Sequence, residues 1–282
     1  MNQRKSLKEL NLLDKFLFDE AMDDPENVKT MLDIILSQNT NLKHPPQTEK
    51  EQRTATDNRQ IRLDIYAIDE DDVIYEVEAQ KENTHNLPKR SRLYQGIIDS
   101  KLLPPGVVDL KLLNEVLIVL IMPFDLFGYG LYRYTFQMKC EEVPELKLDD
   151  GATRIFLNTR GKHPELVSPE LIELLKYMEH STDEVSEACE SKRIQEMHRR
   201  VCQIRASEKT EVKYMQSWEE RIMIKQEGIA EGRIEGEKAL LKSLIEKKMA
   251  KKYSAEQISA MLEIDVSEVE NIMKEIQNEK NP

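Results

Sequence analysis

Long apolar runs are missing from this chain. No stretch approaches the roughly 18–20 consecutive apolar residues that a membrane span needs, and the basic start, MNQRKSLKELNLLDKF, lacks the continuous apolar segment of a secretory signal. Cysteine is scarce: Cys140, Cys189 and Cys202 are an odd number, and no two stand in a C-x-x-C spacing. That argues against a disulfide framework and against a structural zinc site. A reducing cytoplasm is then the simplest compartment, and no membrane partner is expected. Positive charge is in deficit, with 41 Lys and Arg against 53 Asp and Glu and a net charge of −12. Such a chain is not built to coat nucleic acid non-specifically, because phosphate neutralisation needs a cationic surface. A local basic cleft, or an acidic site that meets nucleic acid through bound cations, stays open. There is no G-x-S-x-G, no P-loop and no dinucleotide fingerprint. His44, His85, His163, His180 and His198 show no metal-ligand spacing, and the cysteines read as buried or incidental rather than nucleophilic.

What is present is enough apolar residue for a packed core, 39%, and a high charged fraction, 33%, that suggests a long solvated helical portion. Helical spacing runs from Leu10 to Phe18 and again from Val28 to Leu36, the second after a turn at Asp23, Asp24 and Pro25. The polar stretch 39–58 reads as a loop with at most a short strand. Alternation then predicts a β-hairpin. Its first strand is Arg62–Ile68, with Leu63, Ile65 and Ala67 on one face and Arg62, Asp64 and Tyr66 on the other. The turn is Asp69–Asp72. The second strand is Val73–Gln80, with Ile74, Glu76, Glu78 and Gln80 sharing a face. A helix over Lys89–Lys101 follows Pro88. Glu115–Met122 is almost wholly apolar, the mark of a strand covered on both faces, and further strands are expected at Leu131–Met138 and Thr153–Leu157. Beyond Gly161 the pattern turns helical.

Two features stand out in the tail. Glu227-Gly228, Glu231-Gly232 and Glu235-Gly236 repeat every four residues. They place three glycines near one helical face, as a close-approach interface for self-association or as a mobile connector, at roughly 1 kcal/mol of helix propensity each. Ser254-x-x-Gln257 and Ser267-x-x-Glu270 both fit capping boxes, giving a small terminal helix–turn–helix. Its second helix carries Glu268, Glu270 and Glu275, which favours packing over DNA reading. The expected division is residues 1–165 as an α/β domain and 166–282 as a helical region.

The chemistry sits on the hairpin. Neighbouring strands lie about 4.8 Å apart, so Asp64 on one and Glu78 on the next can converge on one hard cation, which takes oxygen ligands. Gln80 would project to the same face, to orient water or contact phosphate. Glu76 shares that face but is expected to be solvated at the strand's start. Lys81 is the nearby lysine in sequence, yet alternation points it the other way. Lys89, Arg90 and Arg92 open the next helix, as phosphate contacts or as an ordinary basic helix start.

The order Asp, spacer, Glu-x-polar within this frame resembles the PD-(D/E)XK nuclease superfamily, with Gln80 in the lysine's place. More narrowly, the chain resembles the PD-(D/E)XK nuclease family transposases, or recombination-promoting nucleases (Rpn). The residues that carry the resemblance are Leu13-Asp14-Lys15-Phe16-Leu17-Phe18, Arg62-Leu63-Asp64-Ile65-Tyr66-Ala67, Tyr75-Glu76-Val77-Glu78-Ala79-Gln80, Arg90-Ser91-Arg92-Leu93-Tyr94-Gln95, Ile98-Asp99, Pro123-Phe124-Asp125 and Leu157-Asn158-Thr159. The resemblance implies a restriction-endonuclease-like α/β core and a DNA endonuclease that uses Mg²⁺ or Mn²⁺. Asp64 and Glu78 would be the metal ligands, Gln80 the third motif residue, and Arg90 and Arg92 phosphate contacts. Losing the lysine removes a transition-state cation, which can cost roughly 10²–10³ in rate. Slow or conditional activity is one expectation, and a weak or inactive DNA-binding or assembly protein on a nuclease scaffold is the alternative.

Overall fold

A computed structural model of the chain describes residues 4–52, 61–103 and 105–280. It divides into two compact units, 1–214 and 215–282. The first unit carries α1 (Lys15–Met22), α2 (Pro25–Leu36), β1 (Gln47–Gln52), β2 (Ile61–Ile68), β3 (Ile74–Ala79), α3 (Leu87–Asp99), β4 (Val116–Met122), β5 (Arg133–Phe136) and β6 (Ala152–Asn158). It continues with α4 (Pro169–Glu179), α5 (Asp183–Glu187) and α6 (Lys192–Ala206). The division falls within α7 (Glu208–Met249), and α8 (Ala255–Leu262) and α9 (Val266–Lys280) complete the second unit.

The six-stranded sheet has the order β1-β2-β3-β4-β6-β5. β1, β2 and β3 pair antiparallel, β3, β4 and β6 parallel, and β5 antiparallel at the edge of β6. The architecture is therefore mixed α/β. The parallel β3–β4 step needs a crossover, and α3 lies between the two strands in sequence. α1, α2, α4 and α6 build one buried cluster on the sheet with Ile65, Tyr75, Val77, Val119 and Ile121. α3 builds the other with Tyr66, Ile74, Ile118, Leu120 and Met122. β4 is apolar throughout because its successive residues feed both clusters.

Several expectations shift. The first long helix starts at Lys15, not Leu10, because the backbone N–H groups before it are spent elsewhere. Asn11 donates to the Asp14 carboxylate, Leu12 to Ser181 Oγ and Leu13 to the Met178 carbonyl. Leu63 packs with the α3-side cluster rather than with Ile65 and Ala67. It lies where β2 continues past its last pairing with β3, Ile65 opposite Val77. The polar stretch does hold a strand, β1, while its remainder from residue 53 lies outside the described residues. The compact unit does not end at residue 165. Leu171, Leu174, Leu175, Ile194, Met197 and Val201 belong to the same core as α1 and α2, so the unit runs on to Tyr214.

The second unit has a small core of Ile245, Ile258, Val269 and Ile276. The capping box at Ser254 and Gln257 forms. The one expected at Ser267 does not, because Asp265 stands one residue before α9 and its carbonyl takes the first N–H groups, placing Ser267 inside the first turn. A Cβ on Gly228, Gly232 or Gly236 would meet nothing within 4 Å, so no helix among the described residues approaches that glycine face. No helix among the described residues is long and apolar enough to cross a membrane.

Candidate functional site

β3 is an interior strand, with β2 on one side and β4 on the other, and its even-numbered residues face α3. That placement buries Glu76 completely and leaves Glu78 only 8% exposed. The β2–β3 ladder ends at the Ile65–Val77 pair. Asp64 and Glu78 each lie one residue past that last pair, and Asp64 is buried as well. Glu76 and Glu78 thus share one face of the sheet, while Asp64 lies next to Leu63, which packs on the α3 side, and reaches Lys15 of α1. Burial pushes the Glu78 carboxyl up to about 7, helped by Asp64 and opposed by Arg90 and Lys15. Burial also raises Glu76 well above the usual carboxylate range, with Glu78 and Asp64 adding to it. The Tyr94 hydroxyl, on α3, is pushed well up by burial and by the same three acids, against the pull of Arg90.

The expectation that Glu76 is solvated is therefore overturned. Both of its oxygens, and Oε2 of Glu78, are buried without a hydrogen-bond partner. A buried unpaired charge costs several kcal/mol per ion, and burial, then Glu78 and Asp64, all press Glu76 toward its neutral form. Orphaned buried carboxylate oxygens are the kind of donor that Mg²⁺ or Mn²⁺ takes, but Asp64, Glu76 and Glu78 do not bring three ligand atoms within 4.8 Å of one another, so at most a pair of them stands ready for one ion.

Two cations answer the acids. Lys15, the first residue of α1, places Nζ 2.6 Å from Asp64 Oδ1 and 3.2 Å from Asp19. Burial alone would lower this ammonium, but Asp64 and Asp19 hold it above its ordinary range. Sequence reasoning missed Lys15 as a site residue, because 49 residues separate it from Asp64. Lys81 turns away as expected and pairs with Asp14, the residue before α1.

Arg90 and Gln80 are placed differently from expectation. Arg90 does not face outward to phosphate. Its Nη2 donates to Glu78 Oε1 at 2.5 Å and to Gln80 Oε1 at 2.5 Å. Gln80 is held at both ends, since its Nε2 donates to the Glu82 carbonyl at 2.5 Å, so it positions Arg90 rather than a water. Arg92 is exposed and separate from Arg90. Residues two apart on a helix do not share a face. Arg92, beside the exposed Lys89, is what remains of the expected phosphate contacts.

The other residues behind the resemblance fasten loops. Asp125 accepts from the N–H groups of Phe127, Gly128 and Gly130 and from the Tyr134 hydroxyl. Asn158 joins the Leu131 carbonyl to the Arg160 N–H. Gly161 follows because a Cβ there would lie 2.3 Å from the Tyr132 ring.

One further constellation escaped the sequence reading. Asp183, His198 and Cys202 place ligand atoms within 4.8 Å of one another, the only such group of three or more acidic, histidine or cysteine residues among the described residues. His198 and Cys202 are four apart on α6, a same-face spacing that was there to be read. Comparison with models of known families, with curated proteins and with solved structures finds no match, so the reading of both sites rests on this chain's own residues.

Proposed function

We propose that the first unit is a divalent-metal-dependent DNA endonuclease with a PD-(D/E)XK type of core, of the recombination-promoting kind that the sequence resembles. The observation that carries the reading is the buried acidic face where β2 and β3 part. Asp64 and Glu78 lie just past the last β2–β3 pair, Glu76 is paired and fully buried within the ladder, and three carboxylate oxygens have no partner. Asp64 and Glu78 would hold the ion, with Glu76 close enough to be electrostatically coupled to both. When bound, Mg²⁺ or Mn²⁺ would supply a more acidic water and neutralise charge on a scissile phosphate.

The chain's own groups do the rest. Lys15 supplies, from a different element, the positive charge that Gln80 does not, and a fixed ammonium beside the carboxylates would stabilise charge developing on phosphate oxygens. Arg90, held by Gln80, keeps Glu78 in place in the metal-free state. Lys89 and Arg92 offer exposed cations on the same helix for the phosphate backbone, contacts that position DNA without reading sequence.

A second reading has one observation in its favour. Arg90 occupies both Glu78 and Gln80, the arrangement of a site whose positions are filled by an internal ion pair. On that reading the unit is a weak or inactive DNA-binding or assembly protein on a nuclease scaffold. Plasmid nicking by wild type and Asp64→Ala, with Mg²⁺, Mn²⁺, Ca²⁺ or EDTA, separates the two. Metal-dependent cutting lost in the variant is the expected result. No cutting under any condition, with no Mg²⁺ or Mn²⁺ binding by calorimetry, would overturn the endonuclease reading.

A further inference from the structure

Three side chains from two helices meet on one atom. His198 Nε2 lies 2.8 Å from Asp183 Oδ1 and 3.4 Å from Cys202 Sγ, and Sγ lies 3.9 Å from the same carboxylate oxygen. The other ring nitrogen, Nδ1, is 2.9 Å from the hydroxyl of Tyr177, a fully buried residue of α4 that packs edge-on against the imidazole. Thiol and carboxylate therefore share one nitrogen while a fixed group occupies the other. A nucleophilic triad needs the opposite arrangement, with the nucleophile and the orienting carboxylate on different nitrogens of the ring. The thiol is not activated either: burial and Asp183 push it up, against Arg205.

We propose that Asp183, His198 and Cys202 form a binding site for a thiophilic divalent cation of the Zn²⁺ class, which braces α5 against α6. The chemistry of the donors selects the metal. Sulfur, imidazole and a single carboxylate suit zinc, whereas Mg²⁺ asks for oxygen. The spacing fits too. Zn–S of about 2.3 Å, Zn–N of about 2.0–2.1 Å and Zn–O of about 2.0–2.2 Å around a tetrahedron set ligand atoms roughly 3.4–3.6 Å apart. The three separations here bracket that value, and only Asp183, whose side chain is 79% exposed, needs to shift. The ion takes the Nε2 lone pair of the imidazole tautomer that carries its hydrogen on Nδ1, so the proton released on binding is the thiol's. Tyr177 then accepts from Nδ1–H, which fixes the tautomer that presents Nε2 to metal, the usual role of a group behind a metal-bound histidine. Three protein ligands leave one position for water. The site is independent of the acidic face on β2 and β3 in residues and in donor chemistry.

The test uses the full-length chain, free of any histidine tag and stripped of metal, titrated with Co²⁺ and then with Zn²⁺ in competition. The expected result is a thiolate-to-cobalt charge-transfer band that saturates at one Co²⁺ per chain and is displaced by Zn²⁺, and a higher melting temperature with Zn²⁺. Cys202→Ser abolishes the band and Cys140→Ser leaves it. Tyr177→Phe weakens affinity roughly 10- to 100-fold. His198 is buried, so its removal tests folding along with binding. Cys202→Ser and Asp183→Asn, on half-buried and exposed residues, carry the test, with circular dichroism as the folding control. Asp64→Ala keeps the band whatever its effect on DNA cleavage, which separates this site from the proposed nuclease site. A folded wild type without the band, or a band that survives Cys202→Ser, would overturn the assignment.

Discussion

The first unit holds two polar clusters built on opposite plans. On β2 and β3, the groups are all carboxylates, nearly sealed from solvent, and answered among the described residues by Lys15 and Arg90. At α5 and α6, one carboxylate, one imidazole and one thiol meet at the edge of the protein, with Asp183 in solvent and His198 backed by Tyr177. The sheet builds the first plan, since period-2 alternation stacks like residues on one face. Helices build the second, since an i,i+4 pair from one helix needs its third member from another. Each cluster predicts its own metal by donor chemistry, oxygen for Mg²⁺ and sulfur with nitrogen for Zn²⁺. Each can be broken without touching the other.

The largest effect is expected at the first cluster. Asp64→Ala removes a metal ligand while Lys15 keeps Asp19, and Mg²⁺-dependent nicking should fall to background while the circular dichroism spectrum is kept. Cys202→Ser, made in parallel, should nick DNA as wild type does. Equal loss in both variants would break the comparison by making the clusters one functional unit.

Next in size is Lys15. If this ammonium stands in for the lysine that Gln80 replaces, Lys15→Met should lower the single-turnover rate by roughly 10²–10³, the usual cost of removing one electrostatic stabiliser. It should also tighten Mg²⁺ binding, because Asp64 loses a competing cation. A rate loss accompanied by weaker metal binding would reduce Lys15 to a partner that merely holds Asp64.

The hairpin was legible because alternation is a local pattern: β2, β3 and the shared face of Glu78 and Gln80 follow from residues two apart, whereas at Leu63 and Asp64 the alternation breaks. The almost unbroken apolar run of β4 was likewise legible as a doubly covered strand. The burial of Glu76 was not. It depends on β4 lying parallel beside β3 and on α3 lying over both, which are facts of topology. Nor was Lys15, brought to Asp64 by the start of α1. Arg90 and Arg92 stand two apart, and helical geometry alone was enough to separate them. The reach of the core into α4 and α6 escaped for a similar reason, since the apolar spacing of Leu171, Leu174 and Leu175 declares a buried face without naming what covers it. The His198–Cys202 spacing was visible, but Asp183 and Tyr177 come from other helices, and without them two residues make no site.

A third prediction is smaller and concerns pH. Glu78 rests at about 7 in the folded protein against 4.5 ordinarily. The folded state therefore holds a proton that the unfolded state has released between those values. Stability of the metal-free protein should be fully present below about 4.5 as far as this group is concerned, and should fall as pH rises through about 7, by up to about 3 kcal/mol. Denaturant titrations across that range check it. Saturating Mg²⁺ should flatten the fall, because the ion binds the ionised form. Zn²⁺ confined to the second cluster should leave the slope unchanged. A stability that rises through the same window would mean Arg90 outweighs burial at Glu78.

The smallest expected change is at Glu76, and it sharpens the contrast most directly. Its carboxyl is raised well above the ordinary range by burial, then by Glu78 and Asp64, and neither oxygen has a partner. If it carries a proton in the metal-free protein, Glu76→Gln swaps one neutral planar group for another of nearly the same shape. Stability at mildly acidic pH should then barely move, and the decline toward alkaline pH should be shallower, since one of the coupled acids no longer has to ionise in a buried place. Mg²⁺ affinity should drop in the variant if Glu76 joins Asp64 and Glu78 at the ion, and should rise slightly if Glu76 only presses on Glu78 from behind. Denaturation curves with and without Mg²⁺ give both readings from one protein. A large loss of stability at acidic pH would mean that Glu76 is ionised and paired in the native state, and the first cluster would no longer be the cation-poor counterpart of the second.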